Sequence, residues 1–151
     1  MQTVTLETDS ADATERVAEA LAAGLAPGDL VLVSGDVGVG KTTFVRGACR
    51  ALGVSDRVTS PSFTIGHLYR GRVPVSHIDL FRLETLAGED PGLLADYLTP
   101  EAIAFVEWPA AAAPDLDPER VVVRVSLEHL GGDRRRLAAA GQARVVSALG
   151  Q

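Results

Sequence analysis

The sequence predicts an α/β fold with a mostly parallel central sheet and antiparallel hairpins added to it. Three observations carry that prediction. Leu30-Val31-Leu32-Val33 is an unbroken apolar run, as a parallel strand covered on both faces requires. A glycine-rich stretch, residues 35–40, follows at once and opens a helical pattern, giving a strand–loop–helix order. Later apolar segments come in pairs around glycine-containing turns, the pattern of antiparallel hairpins.

Taken in chain order, residues 4–8 alternate apolar and polar and read as a short edge strand. Residues 10–25 have helical spacing: Val17, Ala20, Leu21 and Leu25 fall on one face, with Ser10 or Asp12 as N-cap. Pro27-Gly28-Asp29 is a turn, residues 30–33 are the first buried strand, and the helix over 41–52 ends at Gly53. Residues 63–69 and 73–80, joined around Gly71, form a hairpin, and a helix follows near 91–98. Residues 102–106 are a second buried strand ending in Glu107-Trp108. Residues 109–118, with four consecutive alanines, form the least regular stretch. Strands over 120–128 and 134–139 pair across Gly131-Gly132, and a short amphipathic helix over 142–149 closes the chain. No repeat and no second domain interrupts this order, so residues 1–151 read as one domain. A chain of that size buries about 70% of its unfolded surface, enough for a core without staples.

Composition narrows the function. The net charge is −6 and the pI about 5.0, which argues against direct binding to DNA or RNA, since phosphate neutralisation needs clustered cations. The one basic cluster, Arg134-Arg135-Arg136, reads as a solvated turn or strand edge. Cys49 is the single cysteine and reads as a buried, inert thiol. The first ten residues lack the basic and apolar regions of a secretion signal, and no apolar run approaches the ~20 residues of a membrane span. The expected location is cytoplasmic, away from membranes.

The chain holds thirteen arginines and one lysine, Lys41. That lysine lies in Gly35-Asp36-Val37-Gly38-Val39-Gly40-Lys41-Thr42, which fits G-x-x-x-x-G-K-[ST], the phosphate-binding P-loop. The glycines let the backbone take positive φ and approach phosphate, while successive N–H groups form an anion nest at a helix N-terminus. A compact ammonium reaches β- and γ-phosphates where a planar guanidinium does not fit. Thr42 offers a hydroxyl to Mg²⁺, an ion that prefers oxygen ligands. The loop from Gly35 through Thr43 is therefore expected to bind nucleotide, and the fold to be a P-loop NTPase-like three-layer arrangement. The chain contains no asparagine and so lacks the Asn-Lys-x-Asp element by which GTPases read guanine, which favours ATP.

Two carboxylates stand at strand ends. Glu107 closes the second buried strand, where an α/β sheet presents side chains to its ligand crevice, and Asp79 closes a hairpin strand. One is expected to hold the Mg²⁺ shell and the other to orient or deprotonate the attacking water; the sequence leaves the assignment open. Trp108 either stacks near the nucleotide or caps the core beside it. His77 orients Asp79 or is a packing residue, and His67 and His129 lack metal-ligand spacing.

Four segments together resemble the bacterial TsaE (YjeE) family: residues 35–47, from the P-loop through Thr43-Phe44-Val45-Arg46-Gly47; Ser60-Pro61-Ser62-Phe63-Thr64; His77-Ile78-Asp79-Leu80-Phe81-Arg82-Leu83; and Val106-Glu107-Trp108-Pro109. The family usually has Thr where this chain has Ser62 and Tyr where it has Phe81, so position 81 takes no polar role here. The resemblance implies a partner-dependent ATPase that supports threonylcarbamoyladenosine modification of tRNA next to the anticodon, together with TsaB and TsaD. It implies Lys41 and Thr42 on phosphate and Mg²⁺, Asp79 in a switch-like segment, Glu107 as metal ligand and residues 60–64 as a second switch. It also implies that Gly132-Asp133-Arg134 lies near the adenine, with Arg134 contacting the nucleotide. The acidic chain would then reach tRNA only through its partners. Two other readings compete: a small-molecule phosphotransferase, which needs an arginine-rich lid, and a non-catalytic nucleotide-sensing module.

Overall fold

The computed structural model describes residues 1–36, 38–59, 66–80, 95–107 and 116–150. Its elements are β1 (Gln2–Thr8), α1 (Ala11–Ala22), β2 (Leu30–Ser34), α2 (Lys41–Ala51), β3 (Gly66–Arg70), β4 (Pro74–Asp79), β5 (Ile103–Glu107), β6 (Val121–Gly131), β7 (Arg134–Gly141) and α3 (Ala143–Val146), with a 3₁₀ turn, Ser147–Gly150, after it.

The seven strands form one sheet in the order β1-β7-β6-β2-β5-β4-β3. Its middle, β6-β2-β5-β4, is parallel throughout. The hairpin partner β3 adds antiparallel at one margin, and β7 then β1 add antiparallel at the other. This is the α/β arrangement with antiparallel additions that the sequence predicts. The apolar run at 30–33 became β2, flanked by β5 and β6 and buried at every one of those four positions. Burial on both faces explains why its sequence does not alternate.

Side chains of β2 and β5 divide between two cores. Val31, Val33, Ile103 and Phe105 pack with residues from all three helices, while Leu30, Leu32, Ala104 and Val106 pack with Ile78, Leu80 and Leu116. All the described helices thus lie against one face of the sheet. On the other face the described cover is non-helical, from Tyr97, Leu98 and Leu116. Residues 91–94 of the helix expected near 91–98 lie outside the described residues, and 95–98 make a turn. Residues 109–115 of the expected loop, and 63–65 of the expected strand, likewise lie outside them.

Two local expectations need adjustment. Ser10, not Asp12, is the N-cap of α1, its Oγ accepting from the Ala13 N–H at 3.1 Å. The buried stripe of α1 is Thr14, Glu15, Ala18, Leu21 and Ala22, whereas Val17 and Leu25 only border the core. The reason is the close approach of α2. A Cβ on Gly47 would stand 2.4 Å from the Glu15 carbonyl oxygen, so small residues face the crossing. Gly47→Ala tests this contact. Alanine gains about 1 kcal/mol in helix propensity, but the rigid backbone clash costs more, leaving a net loss of about 1–3 kcal/mol. Urea denaturation should show a lower midpoint; a raised midpoint would mean the helices are not this close.

Cys49 is fully buried in the same core, and that burial pushes its thiol up to about 12, so it stays protonated and inert near neutral pH. No described helix is long and apolar enough to cross a membrane.

Candidate functional site

The chain leaves β2 at Ser34 and re-enters regular structure at Lys41, the first residue of α2. Gly35 and Gly40 make that bend possible, with φ of 145° and 106°. Gly35 is also short of space, since a Cβ there would stand 2.7 Å from the Leu127 carbonyl oxygen. Gly40 is the N-cap of α2 and supplies no side-chain bond, in contrast to Ser10 on α1. With no side-chain cap over it, the positive end of the α2 dipole faces the loop and favours an anion there.

Lys41 is buried, yet its ammonium donates to the Gly35 and Asp36 carbonyls at 2.8 and 2.9 Å. Burial lowers its pKa; the negative charges of Glu107, Asp79 and Asp36, in that order, push it back up. The cation thus sits among carboxylates drawn from two other strands. Those strands are β4 and β5, whose register sets Asp79 directly opposite Glu107, while Glu107 pairs with Val33 of β2 on its other side. Three adjacent strand ends converge on the loop.

Thr42 donates its hydroxyl to Glu107 Oε2 at 3.3 Å. The same carboxylate oxygen meets Nε2 of His77, and both His77 and Glu107 are buried. Sequence reasoning paired His77 with Asp79 or with the core; its partner here is Glu107. The clue available was its place two residues before Asp79, which puts both on one face of a strand. What the sequence could not supply was the register that turns this face toward Glu107.

Arg134, expected beside the nucleotide, is exposed and pairs with Glu7 at 3.2 Å. The two-residue period of β7 sends Arg134 and Arg136 to Glu7 and turns Arg135 the other way. Arg135 Nε donates to the Val39 carbonyl at 2.9 Å, and its Nη1 donates to the Gly132 carbonyl at 2.8 Å. The glycine loop is thereby tied to the β6–β7 turn. Beside this tie lies a cavity of about 70 Å³, whose lining includes Ser10, Thr14, Gly40, Thr43, Arg135 and Asp133, the last from the segment expected near the adenine. Arg135→Ala should weaken nucleotide binding about fivefold, the worth of one net hydrogen bond, in an equilibrium titration with Mg·ADP. Unchanged affinity would show that the tie does not shape the loop.

Among the described residues no three His, Cys, Asp or Glu side chains gather into a metal cage. A divalent ion here would take Thr42 and Glu107 and complete its shell with water and phosphate oxygens, the habit of Mg²⁺ at nucleotide sites. The uncapped helix, the ammonium and the threonine–carboxylate pair fit a magnesium nucleotide. Val37, residues 60–64, Arg82 and Trp108 lie outside the described residues.

The family model "Threonylcarbamoyl adenosine biosynthesis protein TsaE" matches residues 8–137. The chain is 34% identical over 138 residues to the tRNA threonylcarbamoyladenosine biosynthesis protein TsaE of Bacillus subtilis, spanning 91% of this chain and 85% of that one. It is 40% identical over 109 residues to the protein of the same name from a Synechocystis species, spanning 65% of each. In three dimensions it is similar to the crystal structure of YdiB from Bacillus subtilis, with a TM-score of 0.78 at 28% identity, covering 97% of this chain and 91% of that one.

Proposed function

The chain belongs to the TsaE family of tRNA threonylcarbamoyladenosine biosynthesis, and from that premise we propose that it is a Mg²⁺-dependent ATPase acting with TsaB and TsaD. The observation that carries this reading is the meeting of Lys41, Thr42, Asp79 and Glu107 at the uncapped N-terminus of α2.

The residues divide the work. Loop N–H groups from residues 35–43 and the Lys41 ammonium bind the phosphates and offset charge that builds as the γ-phosphoryl group departs. Thr42 and Glu107 would hold a magnesium ion, which when bound would neutralise phosphate oxygens. Asp79, which the register of β4 and β5 sets opposite Glu107 at the mouth of the loop, orients the attacking water and accepts its proton. The water oxygen bonds to the γ-phosphorus, the bond to the bridging oxygen breaks, and ADP and phosphate leave.

Among the described residues, the arginines beside the loop and on α2 are engaged on carbonyls, Arg135 on that of Val39 and Arg46 on that of Val58. A guanidinium from a partner subunit would supply the missing charge, a contribution worth about 10³–10⁵ in rate in other phosphoryl-transfer enzymes. Hydrolysis is accordingly slow in the isolated chain and faster in the complex, where it resets the assembly between rounds of modification. With a net charge of −6, the chain acts on tRNA through its partners. The phosphotransferase reading loses support because Arg134, Arg135 and Arg136 belong to β7 within a sheet and not to a lid. The test is ATP turnover with no acceptor, measured with and without TsaB and TsaD. ADP and phosphate should form in both cases, at least tenfold faster in the complex; equal rates would overturn the proposal.

A further inference from the structure

We propose that His77 is a positioning residue for the metal site, fixing the Glu107 carboxylate where it faces Thr42. The inference rests on the magnesium-nucleotide reading above and assigns a task to a residue that reading leaves without one.

His77 is completely buried in β4, and its Nε2 lies against the same Glu107 oxygen that accepts the Thr42 hydroxyl. Since that oxygen is an acceptor, Nε2 carries the hydrogen. In the neutral ring Nδ1 is then a bare acceptor, and it is buried with no hydrogen-bond partner among the described residues. A residue serving only to fill the core would not strand a nitrogen in this way, because leucine or phenylalanine fills such space without one. The stranded atom is the consequence of presenting Nε2–H to Glu107.

The ring suits the task. It has two torsions and is enclosed on all sides, so it holds the carboxylate at a fixed angle. Partners of this kind fix metal-binding carboxylates elsewhere, and their loss typically lowers metal affinity by about 10–100-fold. Without His77 the Glu107 carboxylate can turn away from Thr42. Nucleotide contacts made by the loop itself do not pass through this pair, so the loss should appear only in the part of the affinity that magnesium adds.

The experiment is an ADP titration by calorimetry, with and without Mg²⁺, on the wild type, His77→Leu and His77→Gln. Magnesium should tighten binding to the wild type. His77→Leu should lose about tenfold of that gain with metal-free affinity unchanged, and His77→Gln, which keeps an N–H donor, should recover part of it. His77→Leu that retains the wild-type gain, or weakens both affinities equally, overturns the inference. Failure of the wild type to bind nucleotide at all would instead defeat the nucleotide reading. Nitrogen-15 spectra of the wild-type imidazoles need no variant that might misfold. His77 should carry its hydrogen on Nε2, and that resonance should shift with Mg·ADP but not with metal-free ADP. An identical response to both overturns the inference.

Discussion

Lys41→Ala is expected to weaken Mg·ATP binding about 100-fold or more while the chain stays folded. The ammonium is buried, held by two loop carbonyls, and surrounded by Glu107, Asp79 and Asp36. Charge-assisted bonds of this kind are worth about 1.5–3 kcal/mol each, and two directed at phosphate oxygens account for the loss. Folding should survive because the removed group carries a desolvation penalty that the variant no longer bears. Lys41→Arg should fail almost as badly, since a planar fork does not fit where a point charge did. Calorimetry measures the affinity and circular dichroism the fold. Binding within threefold of wild type in Lys41→Ala would remove the phosphate site from this loop.

Glu107→Gln should separate binding from turnover. The amide preserves shape and can still accept from Thr42, but it gives up the charge that faces the metal, so Mg·ATP affinity should fall about tenfold, no less than in His77→Leu, while metal-free affinity is kept. Turnover in the partner complex should fall by about 10²–10³, as when a preorganised charge is deleted from other sites. The same variant judges the sensing-module reading, together with Asp79→Asn. If both variants bind ATP, lose hydrolysis and still support tRNA modification, binding alone is the signal and the ATPase account fails. Loss of modification together with hydrolysis supports it.

Much of this was legible because its signals are local. The P-loop spacing, the apolar run of β2, the Ser10 cap and the turn at Gly131-Gly132 each reside within a dozen residues. Asp79 and Glu107 were readable as strand-end acids, but their facing one another depends on the register between β4 and β5. His77 and Arg135 depend on the same kind of non-local information. The imidazole meets an acid thirty positions away, and the guanidinium reaches a carbonyl ninety-six positions away. The stripe of α1 was misjudged for a related reason: helical spacing selects a face only to within a residue or two, and the close crossing at Gly47 decided it. The three adjacent arginines show the cost of reading a cluster as one unit, since the strand's alternation divides it between two faces.

β2 emerges early in translation, but both strands that flank it, β5 and β6, come from the last third of the chain, as does the guanidinium that tethers the bend after it. A nascent chain halted after β4 therefore has every glycine of the bend and its lysine, yet nothing beside β2 to shape them. On the reading proposed above, a triphosphate would find its loop in shape only once the C-terminal hairpin has closed beside β2.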